Sequence, residues 1–240
     1  MRRDEGKILG IIGGMGPLAT QEFYKMVIER TYAERDQDHI NTIILSHATL
    51  PDRTKAVKEG RVEEFAKFLE EDLKLLEEMG ACAAAIPCNT SHIVVPGLQE
   101  KTGLHIINMI EETASRINEL GKHKKVGILA TDGTIRTRLY QKALEKYGIE
   151  AYQPCKNSQA VLMNIIYNGI KAGGNIDIDQ FKHVEDEIKE CGCTAAILAC
   201  TELSCFRIMY KLPEFYIDAM EILAEEAVMR CGGKLKKLKK

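Results

Sequence analysis

No run of apolar residues in this 240-residue chain approaches the ~20 that a membrane-spanning helix needs. The opening residues Met1-Arg2-Arg3-Asp4-Glu5-Gly6-Lys7 lead straight into a strand-like run and hold no apolar signal segment, so a cytoplasmic location is expected. Charge of one sign is not in excess either. Lys and Arg number 33 against 35 Asp and Glu, a net −2, which argues against a nucleic-acid binder or a polyanion. No Cys-x-x-Cys pair occurs, and none of the six histidines forms a tight metal pair, so no metal site is expected. A P-loop lysine motif is missing, which argues against nucleotide hydrolysis. No Pro-rich or Ser-rich linker divides the chain, so its parts should pack directly on one another with a cleft between them.

What the chain does have is alternation. Apolar strand-like runs at Ile8–Ile12, Thr42–Ser46, Ala83–Pro87, Ile106–Asn108, Val126–Ala130, Ile149–Tyr152, Ala195–Ala199 and Phe215–Asp218 are separated by amphipathic stretches. Helices are expected over Pro17 to about Glu34, Arg61–Met79, Ile110–Leu120, Thr134–Tyr147, Ser158–Lys171, Asp177–Glu190 and Ala219–Arg230. Strands alternating with helices imply an α/β fold with parallel sheets. The chain also repeats itself. KILGIIGG from Lys7 returns as KVGILAT from Lys125, GACAAAIPCNTS from Gly80 as GCTAAILACTEL from Gly192, and INMIEETA from Ile107 as IDAMEILAEEA from Ile217. The offsets of 118, 112 and 110 residues are near-constant and domain-sized, so two similar α/β lobes are expected.

Eight cysteines in a chain of this size, with a cytoplasmic location expected, read as reduced thiols. Cys82, Cys155, Cys191, Cys193, Cys205 and Cys231 read as packing. Cys88 and Cys200 differ. Each stands just after a buried strand and before a helix, at equivalent places of the repeat. The carboxyl end of a parallel strand is where open α/β sheets place ligands, and a helix start favours a thiolate. Two thiols related by pseudo-symmetry can face each other across a cleft, one removing a proton from a carbon while the other delivers one to the opposite side.

Around them stand residues of less certain use. Asn89, Thr90 and Thr201 can cap helices or hold a substrate. The glycine cluster Gly10–Ala19 contains Gly14-x-Gly16-x-x-Ala19, a weak match to a dinucleotide fingerprint that Pro17 spoils by removing a backbone donor. Close backbone approach to a small anion near Met15 and Gly16 is the better use. Arg53, in Leu50-Pro51-Asp52-Arg53-Thr54, can hold a carboxylate or be a solvated turn arginine. Lys171 can do the same or complement a helix end. His92, one helical turn after Cys88, either tunes that thiol or is a satisfied structural histidine. Glu202 either orients the second site or caps its helix. The tail Lys234–Lys240 reads as a solvated helix end and frayed tail, with contact to an anionic surface as the other reading.

Taken together, GIIGGMGP near the start, PCNTSH around Cys88, GILATDGTI from Gly127 and LACTEL around Cys200 resemble, in order, the aspartate/glutamate racemase family, its aspartate branch above all. The similarity runs to about Ala227. It implies two pseudo-symmetric flavodoxin-like lobes, each donating one catalytic cysteine to an interlobe cleft. It implies no cofactor, a small dicarboxylic amino acid as substrate, no nucleic-acid or membrane partner, and a homodimer. It also implies that Arg53 and Lys171 hold carboxylates, with Met15, Gly16, Asn89, Thr90, Ser91, Thr131 and Thr201 lining the substrate site and His92 and Glu202 in support. The last strand of each lobe is expected to come from across the chain's midpoint. The lobes would then be residues 1–103 with 213–240, and residues 104–212. His47 departs from the family pattern, where an asparagine-like residue is expected. Two other activities remain open: a one-cysteine isomerase or decarboxylase of a small dicarboxylate, and a small-ligand-binding module.

Overall fold

The computed structural model describes residues 7–237. The central strands are largely apolar because they are covered on both faces, whereas the edge strands Asn41–Ser46 and Glu150–Tyr152 are partly exposed. Leu9 and Ile11 of β1 (Ile8–Gly13) enter one core cluster, and Ile12 enters another on the opposite face. After β1 come α1 (Pro17–Arg30), β2 (Asn41–Ser46), α2 (Arg53–Glu59), α3 (Val62–Glu78) and β3 (Ala81–Ala85). A 3-10 turn at Thr90–Ile93, α4 (Val95–Gln99), β4 (His105–Ile107) and α5 (Met109–Leu120) complete the first series. The second series holds β5 (Lys125–Ala130), α6 (Asp132–Thr137), α7 (Leu139–Glu145), β6 (Glu150–Tyr152) and α8 (Lys156–Asn164). It ends with α9 (Ile178–Glu190), β7 (Ala195–Ala199), α10 (Thr201–Tyr210), β8 (Tyr216–Asp218) and α11 (Ala219–Arg230).

The strands form two parallel four-stranded sheets, ordered β2-β1-β3-β4 and β6-β5-β7-β8. In each, the order reverses next to the first strand of the series, which creates a switch point at the carboxyl ends of β1/β3 and of β5/β7. The repeat is therefore structural. Ile11 pairs with Ala85 and Ile128 with Ile197, so the registers align the first strands with an offset of 117 residues. In that register Gly10 and Gly127 correspond, and a Cβ on either would meet a helix side chain, Leu76 of α3 at 2.7 Å or Ile188 of α9 at 2.8 Å.

The expected exchange of final strands does not occur. β4 stays in the first sheet on β3, and β8 stays in the second on β7. The connection into β4 is short and clamped: the Gln99 amide donates to Leu104 O (2.7 Å) and accepts from Ile106 N (2.8 Å). Glu77 of α3 accepts from Thr102 and Gly103. What crosses between lobes is helix. One core cluster unites both sheets through α5 and α11, with Ile107, Ile110 and Ile117 beside Val126, Ile128, Leu223 and Val228. The segment after α11 returns to the first lobe, where Tyr32 N donates to Lys234 O (2.7 Å) and Lys236 N to Arg30 O (2.8 Å). Residues 238–240 of the basic tail and residues 1–6 lie outside the described part.

Several helices also differ from expectation. α1 stops at Arg30, where the Thr31 hydroxyl turns back to Val27 O (2.7 Å) and the chain pairs with the C-terminal segment. The helix expected over Thr134–Tyr147 breaks at Arg138, whose φ of 56° is left-handed. The one expected over Ser158–Lys171 turns π-helical from Ile165 to Lys171. Cys82 and Cys155 are exposed and do not serve as packing.

Candidate active site

Cys200 follows β7 directly and opens α10 from its N-cap position. Cys88 stands three residues beyond β3, with its N–H donating to Ile86 O (2.7 Å), and is followed by the 3-10 turn instead of a regular helix. Pro96, which lacks an N–H, restarts the chain as the short α4. The two switch points face each other. Cys88 and Cys200, 7% and 6% exposed, line one small cavity between the lobes.

Pairs from opposite lobes close this cavity. Thr90 meets Thr134 at 2.8 Å and Thr131 at 3.1 Å. The Tyr140 hydroxyl of α7 donates to Asn89 Oδ1 at 2.6 Å, and the Tyr167 hydroxyl donates to Asp52 at 3.2 Å. Gly133 lies so close to α2 that a Cβ there would be 2.9 Å from Thr54 Cα, which explains a glycine at that point.

Arg53 is a helix residue, not a turn residue. It opens α2, whose N-cap Asp52 accepts from Lys55 N (2.7 Å). Its guanidinium is buried and clamped by backbone carbonyls: Nη1 donates to Pro51 O (2.7 Å) and Leu50 O (3.2 Å), and Nη2 to Met15 O (3.1 Å). Among the described residues, Arg53 Nε and Asn89 Nδ2 are buried without a partner, and both residues line the cavity. A buried donor left unpaired costs roughly 1–3 kcal/mol, so the cavity is built to receive an acceptor.

On the other side, Lys171 Nζ sits 2.8 Å from Glu202 Oε1 and 5.6 Å above the Tyr167 ring. Cys200 Sγ donates to Glu202 Oε2 at 3.0 Å. Burial, and then the Glu202 carboxylate, push the Cys200 thiol well above the ordinary range, against the pull of Lys171. Burial would lower the Lys171 ammonium, but Glu202 and the two thiols hold it above its usual value. Burial raises the Tyr167 phenol to about 12.

Met15, Asn89, Thr90, Thr131 and Thr201 line the cavity. Gly16 and Ser91 do not. Gly16 belongs to an adjoining, larger cavity, which shares Arg53, Lys171 and Glu202 with the first. Ser91 is fully buried, with its hydroxyl on Met15 Sδ (3.3 Å). His92 is a satisfied structural histidine. Nδ1 donates to Cys88 O (2.9 Å) and Nε2 accepts from Met109 N (3.2 Å), so it ties the cysteine loop to α5 through its neutral form. Complete burial depresses its pKa to about 4. His47 turns away, to Asp72 of α3 at 2.9 Å. Sequence reasoning missed Asp52, Thr54 and Tyr167 as lining residues and Tyr140 as the support of Asn89, although Tyr167 is one helical turn before Lys171. Among the described residues, no group of three or more His, Cys, Asp or Glu side chains is placed to hold a metal ion, and no helix is long and apolar enough to cross a membrane.

Comparison with known proteins points the same way. Residues 12–227 match the model of the Asp/Glu/hydantoin racemase family. The aspartate racemase of Picrophilus torridus is 32% identical, covers 96% of each chain and superposes with a TM-score of 0.81. An aspartate racemase homologue from Pyrococcus horikoshii is 26% identical over 94% of this chain and 99% of that one, with a TM-score of 0.75. The broad specificity amino-acid racemase RacX of Bacillus subtilis is 29% identical over 92% of this chain and 96% of that protein.

Proposed function

The chain belongs to the Asp/Glu/hydantoin racemase family, and from that premise we propose that it interconverts L- and D-aspartate by proton transfer between Cys88 and Cys200, without pyridoxal phosphate. Glutamate is the second candidate. The observation that carries this reading is the placement of both thiols, from equivalent strand ends of opposite lobes, in one small cavity with Arg53 and Lys171.

In one direction a Cys88 thiolate takes the α-proton, forming S–H as the C–H bond breaks. Cys200 gives its own proton to the opposite face of the carbon. The proton count is unchanged, and the roles swap in reverse. The α-proton is weakly acidic, so charge spreading onto the carboxylate must be stabilised as it develops. Arg53 Nε and Asn89 Nδ2 are donors already fixed and awaiting an acceptor. The carbonyl clamp on Arg53 holds it in place before substrate arrives, so little reorganisation is left for the reaction. Lys171 is the cation available to a side-chain carboxylate.

A wider side-chain range is a second reading. Lys171 already has a carboxylate partner in Glu202, and the adjoining cavity offers Leu18, Ala19 and Ile170 beside both. The named activity of the Bacillus subtilis relative agrees with it. The test is chiral chromatography of a panel of L- and D-amino acids incubated with the protein and no added cofactor. Aspartate is expected to racemise fastest, with Cys88→Ala and Cys200→Ala each lowering the rate at least about 100-fold. Full racemisation by both variants would remove the two-base reading, and loss in only one favours a one-cysteine reaction. Binding without turnover of any of the panel favours a ligand-binding module.

A further inference from the structure

The two halves of the site are not equivalent, and the difference lies two residues after each cysteine. Thr90 follows Cys88 by two, and Glu202 follows Cys200 by two. These positions are structural counterparts. With β1 and β5 aligned in register, Gly14, Gly16 and Pro17 correspond to Thr131, Gly133 and Thr134. A Cβ at Gly133 would lie 3.0 Å from Thr90 Cγ2, and one at Gly16 would lie 3.4 Å from Glu202 Oε1. Each glycine thus faces the residue two past the cysteine of the opposite lobe.

What the two residues do there is different. The Thr90 hydroxyl is engaged by Thr131 and Thr134 across the cleft. The counterparts of those two threonines are Gly14 and Pro17, which offer Glu202 no side-chain donor. Glu202 therefore turns back into its own lobe, where Oε2 accepts from Cys200 Sγ at 3.0 Å and Oε1 meets Lys171 at 2.8 Å. No carboxylate is hydrogen-bonded to Cys88 Sγ among the described residues. A carboxylate accepting a hydrogen bond from a thiol favours the protonated form. The N-terminus of α10 and the Lys171 ammonium act in the opposite sense, but the helix end carries roughly half a unit charge and Lys171 meets the other oxygen of Glu202, whereas Oε2 stands at hydrogen-bond distance from the thiol.

We propose that Glu202 is a positioning residue that holds the proton on Cys200 in the substrate-free protein, presetting Cys200 as the acid and Cys88 as the base. The names acid and base rest on the racemase reading above, whereas the protonation preset does not. Turnover kinetics alone would miss it. For a racemisation the equilibrium constant is one, so kcat/KM is equal in both directions whatever the resting state. The preset shows instead in thiol reactivity, since the thiolate is the nucleophile.

The test is the pH dependence of iodoacetamide alkylation, followed by peptide mass spectrometry at Cys88 and Cys200 separately. Each rate at pH 7 is divided by its own high-pH plateau, which cancels differences of access. In the wild-type chain the normalised rate at Cys88 is expected to exceed that at Cys200 at least tenfold. In Glu202→Gln the Cys200 rate at pH 7 is expected to rise at least tenfold and its profile to move to lower pH, with Cys88 changed less than threefold. A merely structural role for Glu202 would leave the Cys200 midpoint in place. Equal normalised rates in the wild type overturn the proposal even if the variant does not fold. An unmoved Cys200 profile in a folded Glu202→Gln, judged by its thermal melt, overturns it as well. Neither result depends on racemase activity, so failure of the preset and failure of the proposed function are distinguishable.

Discussion

At the scale of single residues, the site is held by groups whose protonation state is fixed by burial. His92 is the clearest case, because its two bonds require a neutral ring with the proton on Nδ1. Its folded pKa of about 4 lies below the unfolded value near 6.5, so between these limits the unfolded chain binds more protons. Stability from this residue is complete above pH ~6.5 and is lost as the pH falls toward ~4, by about 3 kcal/mol in all. Urea unfolding midpoints across that window should show the decline, and His92→Gln should flatten it. A slope unchanged in the variant would assign the acid sensitivity elsewhere. Cys88 and Cys200 were legible in the sequence because the internal repeat puts both at equivalent places just after a buried run. Tyr140 and Tyr167 were not, since their partners Asn89 and Asp52 lie 51 and 115 residues away. No local pattern encodes such a contact. Ser91 and His92 sat in the right motif but face inward, and one residue along a tight turn decides which side chain meets the cavity.

At the scale of elements, the two helices that join the lobes start from equivalent caps. Asn108 Oδ1 accepts from Ile110 N and Glu111 N at the start of α5, and Asp218 Oδ1 from Met220 N and Glu221 N at the start of α11. Asp218 also accepts from the buried Ser204 hydroxyl at 2.7 Å. Asn108→Ala should cost about 1 kcal/mol, the usual worth of a cap. Asp218→Ala should cost about 2–3 kcal/mol, because it also leaves a buried hydroxyl unpaired. Denaturant unfolding of both variants checks the order, and equal losses would contradict it. Long amphipathic helices and fully apolar strands were readable from spacing alone, and Ala195–Ala199 and Ala219–Arg230 fall where periodicity puts them. Short elements were not. α2 has seven residues and α4 five, too few for a period to show. The break at Arg138 carries no glycine to announce its left-handed backbone.

At the scale of the whole molecule, two similar α/β lobes share a helical layer and meet at their switch points. Duplication was visible in the repeated fragments. Which sheet each short final strand joins was not, because a three-residue strand fits either edge and side-chain clamps such as Gln99 settle the matter. Lobe approach is set by Gly133, so Gly133→Val should force the halves apart. The expected effect is a fall in kcat of about 100-fold, the scale of a 1 Å misplacement. Lys58→Ala, which removes an exposed interlobe ion pair with Asp132, should change stability by less than about 1 kcal/mol and activity little. Steady-state assays of the two variants separate geometry from charge; a weak Gly133→Val and a crippled Lys58→Ala would reverse the account.

In the proposed reaction two thiols work from opposite sides of one carbon. Its most direct test is the loss of the α-proton signal of L- and D-aspartate in D₂O, followed by NMR with no added cofactor for the wild-type chain, Cys88→Ser and Cys200→Ser. Two opposed thiols should give exchange of both enantiomers with racemisation in the wild type. Each serine variant should exchange one enantiomer only, a different one for each, without racemising it. Exchange of both enantiomers by either variant at the wild-type rate would contradict it.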